Sequence, residues 1–67
     1  MNTLYVVKTR LEIVIKDLKE CERKYNESMQ KNNLQLCNWL DGRMIELKSE
    51  ISFLNMVITL IGEGYIN

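Results

Sequence analysis

Residues 37–61 read CNWLDGRMIELKSEISFLNMVITLI, and the spacing of their apolar side chains decides the fold. Cys37, Leu40, Met44, Leu47, Ile51, Leu54, Ile58 and Ile61 recur at alternating intervals of three and four without a miss. That interval puts all eight on one side of an α-helix, whereas a half-buried strand would repeat every second residue. The chain has no Pro, and its three glycines are Gly42, Gly62 and Gly64. Only Gly42 falls inside the run, and Gly62, directly after Ile61, is read as the C-terminal stop.

The same rhythm holds upstream in Leu4, Val7, Leu11, Val14, Leu18, Cys21 and Tyr25. Lys8, Glu12, Lys16, Glu20 and Lys24 alternate in sign at every fourth position, a spacing that stabilises a helix by a few tenths of a kcal/mol per pair and does nothing for a strand. A competing start lies at the capping-box pattern Thr9-x-x-Glu12, with residues 5–7 extended. The earlier start is preferred because the seam already includes Leu4 and Val7.

Carried forward, the first register would place seam positions at Asn32, Gln35 and Trp39, out of phase with Cys37 and Leu40. The chain must therefore break between the two runs. The polar sequence Gln30-Lys31-Asn32-Asn33 is the natural turn, with Asn32 or Asn33 as cap of the second helix. A later start capped by Asn38, with Asp41 three residues on, is the alternative. Seam residues facing each other in an antiparallel pair have positions that add to a constant. Leu4 with Ile61, Val7 with Ile58, Leu11 with Leu54, Val14 with Ile51, Leu18 with Leu47, Cys21 with Met44 and Tyr25 with Leu40 all sum to 65. The predicted fold is all-α: a single antiparallel helical hairpin with coiled-coil packing, helix 1 over about 3–29, a turn over 30–33, helix 2 over about 34–61 and a short tail at 62–67.

The two ends of this hairpin differ. Eight of twelve residues in 4–15 and eight of eleven in 51–61 are apolar, against twelve of thirty-five in 16–50. One partner helix covers only a stripe, so Tyr5, Val6, Ile13, Ile15, Phe53, Met56, Val57 and Leu60 cannot all enter the seam. They are expected to form a self-association interface through which two hairpins build a four-helix bundle, because 67 residues seldom bury enough core alone. A recognition surface for a different protein and attachment to a membrane interface are the competing uses of this patch. The membrane reading is handicapped by the lack of a Lys/Arg-rich polar face beside it.

Catalytic chemistry finds little to work with. The chain has no His and two cysteines. Cys21 and Cys37 fall on seam positions facing Met44 and Ser28, out of line for a disulfide and too few for a metal. Glu46 and Glu50 lie one helical turn apart and read as a solvated face. No enzyme activity, metal or cofactor is expected. The unusual local run is Trp39-Leu40-Asp41-Gly42-Arg43, where a glycine stands on the outer face of a helix beside two residue types enriched at interface hot spots. Trp39, Gly42 and Arg43 are therefore the candidate partner-binding residues.

Nine Lys+Arg balance nine Asp+Glu. A neutral chain argues against the phosphate backbone as partner, and in the best basic cluster, Lys16, Lys19, Arg23 and Lys24, acidic residues are interleaved. No opening segment reads as a signal peptide, and the longest apolar stretch is shorter than the ~20 residues a membrane span needs, so a cytoplasmic location is expected. Asn, Ile and Lys supply 20 of the 67 residues and Ala is absent, a bias of AT-rich coding sequence. These features lead to an expected role as a small homodimeric interaction module of bacterial or phage origin that inhibits or adapts a larger protein by occupying its surface. A DNA-associated dimeric regulator and a membrane-interface peptide are the alternatives.

Overall fold

The computed structural model describes residues 2–65 and contains two α-helices, α1 (Thr3–Gln30) and α2 (Leu34–Gly62), packed against each other as an all-α hairpin. Asn2 sets the start of α1. Its backbone is extended, and its side-chain oxygen accepts from the N–H groups of Leu4 at 2.9 Å and Tyr5 at 3.4 Å, two of the donors that a helix N-terminus leaves without partners. Thr9 lies well inside the helix, so the capping-box start is not used.

The two turn asparagines divide the work. Asn32 takes φ 55°, the left-handed conformation that Asn tolerates better than other side chains. Its N–H reaches the Met29 carbonyl at 3.1 Å, while the N–H of Asn33 reaches Ser28 at 2.9 Å, closing α1 with a Schellman motif. Asn33 then caps α2 by accepting from the N–H of Leu36 at 3.2 Å. Asn38, the alternative cap, is a helix-interior residue. The end of α2 corrects the sequence reading of Gly62. That glycine is the last helical residue, and Gly64 takes the left-handed position at φ 84°, with the N–H of Tyr65 bonded to Leu60 at 2.9 Å and that of Gly64 to Ile61 at 3.1 Å. Of the expected tail, Ile66 and Asn67 lie outside the described residues.

Every predicted seam position is buried or half-buried. Val14, Leu47 and Leu54 form the centre of the core, and Val7, Leu11, Leu18, Cys21 and Ile51 pack on it, all of them seam positions. The burial is lopsided. Five apolar α2 residues (Cys37, Leu40, Met44, Leu47 and Leu54) are buried, whereas α1 contributes Val14 alone. Ser28 completes the buried set on α1, its hydroxyl donating to the Lys24 carbonyl at 2.8 Å so that this polar atom is not stranded. Cys21 and Cys37 are free thiols, and the Cys37 sulfur lies 4.0 Å from the Tyr25 carbonyl oxygen. The product is a rod of 48 × 16 × 13 Å, one helix pair thick, in which each helix has one neighbour and three sides to solvent.

Candidate interaction surface

Among the described ion pairs, one links the two helices and thereby labels one side of the hairpin. Arg10 clasps Glu50 with both arms, Nε to Oε2 at 2.7 Å and Nη2 to Oε1 at 3.1 Å. The guanidinium holds the Glu50 carboxyl below its ordinary value of 4.5, chiefly through these hydrogen bonds. On α1, Val6 and Ile13 stand four residues before and three after Arg10, so they share its side. Around Glu50 on α2, the same intervals gather Leu36, Trp39, Arg43, Glu46, Phe53, Val57 and Leu60.

These α2 residues, with Glu50, fall at 36, 39, 43, 46, 50, 53, 57 and 60, again at intervals of three and four. Thus α2 carries two heptad stripes. The first is covered by α1; the second is covered only in part, with Leu36, Trp39, Glu46 and Phe53 exposed. Trp39 is 65% exposed and Phe53 57%. Leu36 is exposed as well, while Val57 and Leu60 are half-buried. The second stripe is apolar at both ends and ionic in the middle, where Arg43 meets Glu46 at 3.4 Å and Glu50 meets Arg10.

The eight residues expected to self-associate therefore divide by side. Val6, Ile13, Phe53, Val57 and Leu60 lie together around the Arg10–Glu50 clasp. Tyr5 and Ile15 are also exposed, but their helical positions turn them to the other side of α1, while exposed Met56, three residues after Phe53 and four before Leu60, borders the stripe on the outer face of α2. Exposed apolar residues also occur at the turn end, where Met29, Leu34 and Leu36 join Trp39.

Trp39 stands between two shallow surface grooves, one of about 300 Å³ lined by Asn38, Trp39, Gly42, Arg43 and Glu46, the other of about 330 Å³ lined by Asn33, Gln35, Leu36 and Trp39. A Cβ added at Gly42 would meet nothing within 4 Å, so nothing in the described hairpin requires glycine there. Arg43 is half-buried beside it.

The other candidate groups are occupied or scattered. Arg23, in the expected basic cluster, is held by Glu20 at 2.6 Å and Glu27 at 3.1 Å, and Lys31 also reaches Glu27 at 3.2 Å. These contacts lower both carboxyls, Glu20 mainly through Arg23 and Glu27 mainly through Lys31. The positive field that a phosphate backbone would feel is correspondingly reduced. Among the described residues no three Cys, Asp or Glu side chains gather as metal ligands, and no helix is long and apolar enough to cross a membrane. Comparison with protein-family models, with characterised proteins and with solved structures finds no match to this chain.

Proposed function

We propose that this chain is a non-enzymatic protein–protein interaction module of the cytoplasm, a bacterial or phage inhibitor or adaptor that works by laying α2 against the surface of a larger protein. The observation that carries this reading is the second stripe of α2. Leu36, Trp39, Phe53, Val57 and Leu60 follow helical spacing along one side of α2, the first three exposed and the last two half-buried. Large apolar residues in such an array are the anchors of helix-mediated recognition, and Trp and Arg are the residue types that most often dominate the energetics of such contacts. The mechanism is steric, since a rod 48 Å long can mask a groove or a docking site on its target without chemistry of its own.

Affinity capture from the native cell tests the reading. The native chain should retain a defined protein, and Phe53→Glu and the double variant Trp39→Ala/Arg43→Ala should lose it while keeping native helicity by circular dichroism. Capture that survives both variants would remove the stripe from the mechanism.

A further inference from the structure

The second stripe of α2 fits one occupant better than others, a second copy of itself. We infer that two chains pair through the second stripe of α2 in antiparallel fashion, with the two-fold axis at the axial level of residue 48, on the opposite side of the helix from the Lys48 side chain; this rests on the reading of the stripe as an interaction surface and makes a second copy the target's competitor for it.

Three observations lead there. The first is area. A compact chain of 7.9 kDa exposes about 4,400 Å². This hairpin exposes 5204 Å², about 800 Å² more, because it is a rod 48 Å long, and that surplus is large enough to supply one side of an interface of standard size. The second is periodicity. A surface that repeats at three and four along a helix is complementary to another helix, and a helix with two adjacent stripes is built for two neighbours, as in a four-helix bundle.

The third is the register. An axis at the midpoint of α2 (Leu34–Gly62) gives paired positions that add to 96 and lets both helices overlap over their full length. That sum matches the stripe to itself. Leu36 faces Leu60 of the second copy, Trp39 faces Val57, and Arg43 faces Phe53, so each apolar end meets the other's and a guanidinium lies against an aromatic ring. Val6, on the same side at the open end, lies near the tryptophan of the second copy. Only the two layers that flank the axis, Glu46 facing Glu50 in each, bring like charges together, and each of these carboxylates has its own guanidinium, Arg43 at 3.4 Å and Arg10 at 2.7 Å.

Charge complementation tests the pairing. By light scattering on a sizing column, the native chain should run at twice 7.9 kDa, and Trp39→Glu or Val57→Lys alone should run at the single-chain mass with helicity retained, since neither residue belongs to the buried core. Mixed in equal amounts, the two variants should recover the double mass. The mixture sets the introduced charges opposite each other in one layer and restores the native Trp39–Val57 layer in the other. A mixture that stays at single-chain mass, or a native chain that remains single at millimolar concentration, overturns the pairing. The interaction reading is scored separately: capture of a target that is lost with Phe53→Glu sustains it even for a native chain of single mass, and capture indifferent to the stripe removes it even for a dimer.

Discussion

Arg10 and Glu50, forty residues apart in sequence, meet through two parallel hydrogen bonds of 2.7 and 3.1 Å across the open side of the hairpin. A bidentate clasp fixes both the rotation of one helix against the other and their offset along the axis, which a row of apolar side chains fixes less sharply. Its contribution depends on pH in a defined direction. The folded carboxyl of Glu50 is depressed from its ordinary 4.5 by Arg10, so the clasp stabilises fully above that value and is lost as pH falls through the depressed one. Melting of the native chain and of Glu50→Gln, followed by circular dichroism between pH 7 and pH 2, should show a lower Tm for the variant at neutral pH and convergence below the carboxylate range. Equal melting temperatures at pH 7 would show that solvent screening cancels the pair.

Leu47 is the side chain whose loss should be felt most. It is 1% exposed and, with Val14 and Leu54, makes up the buried centre of the core. Leu47→Ala should cost about 2–5 kcal/mol, comparable with the entire stability of roughly 3–10 kcal/mol expected for a chain of this length. The variant should be largely unfolded at 37 °C by circular dichroism. Leu4→Ala, at a half-buried end layer, should retain a cooperative melt.

The asparagines of the turn predict opposite responses to neighbouring substitutions. Asn32→Val places a β-branched residue at φ 55° and should destabilise by about 1–2 kcal/mol, while Asn32→Gly should be neutral or stabilising. Asn33→Ala removes the acceptor for the Leu36 N–H and should cost about 1 kcal/mol. Urea titrations of the three variants separate the two roles.

Much of this architecture is legible in the sequence because the information is local. A spacing of three and four needs no knowledge of the rest of the chain, and the constant sum of 65 follows once two such runs exist. The helix ends were harder to read. Asn2 lies outside the apolar periodicity, and Gly62 and Gly64 are equally plausible stops until backbone geometry shows which of them adopts positive φ. The second stripe of α2 was missed for a different reason. Grouping apolar residues by position along the chain isolates the open end, whereas grouping by side of the helix joins Phe53, Val57 and Leu60 to Leu36 and Trp39 across the charged interval Arg43, Glu46 and Glu50. The Arg10–Glu50 clasp supplies the missing label, because it shows which positions flank the seam on a common side.

Gly42 offers a stability gain that the fold itself does not oppose. It is a helix-interior residue whose added Cβ would meet open space, so Gly42→Ala should raise stability by about 0.5–1 kcal/mol. Its position lies just off the second stripe, and the solution mass should be unchanged. A variant with a higher Tm but a reduced mass would show that the glycine admits the backbone of the second copy.

Glu46 decides between registers of the α2 pair. With the axis at the level of residue 48, its carboxylate faces Glu50 of the second copy, and two such layers flank the axis. Glu46→Gln removes the repulsion in both while retaining hydrogen-bonding capacity, so it should tighten the dimer several-fold and flatten its dependence on salt. An axis moved by half a heptad would instead set Arg43 against Glu46, and the same substitution would then weaken the dimer by deleting two ion pairs. Sedimentation equilibrium at low and high ionic strength reads the sign directly. Target binding supplies an independent check, because a target that uses the same stripe competes with self-pairing. Glu46→Gln should accordingly lower capture at protein concentrations where the native chain is half dimeric, and lose that effect on dilution to single chains.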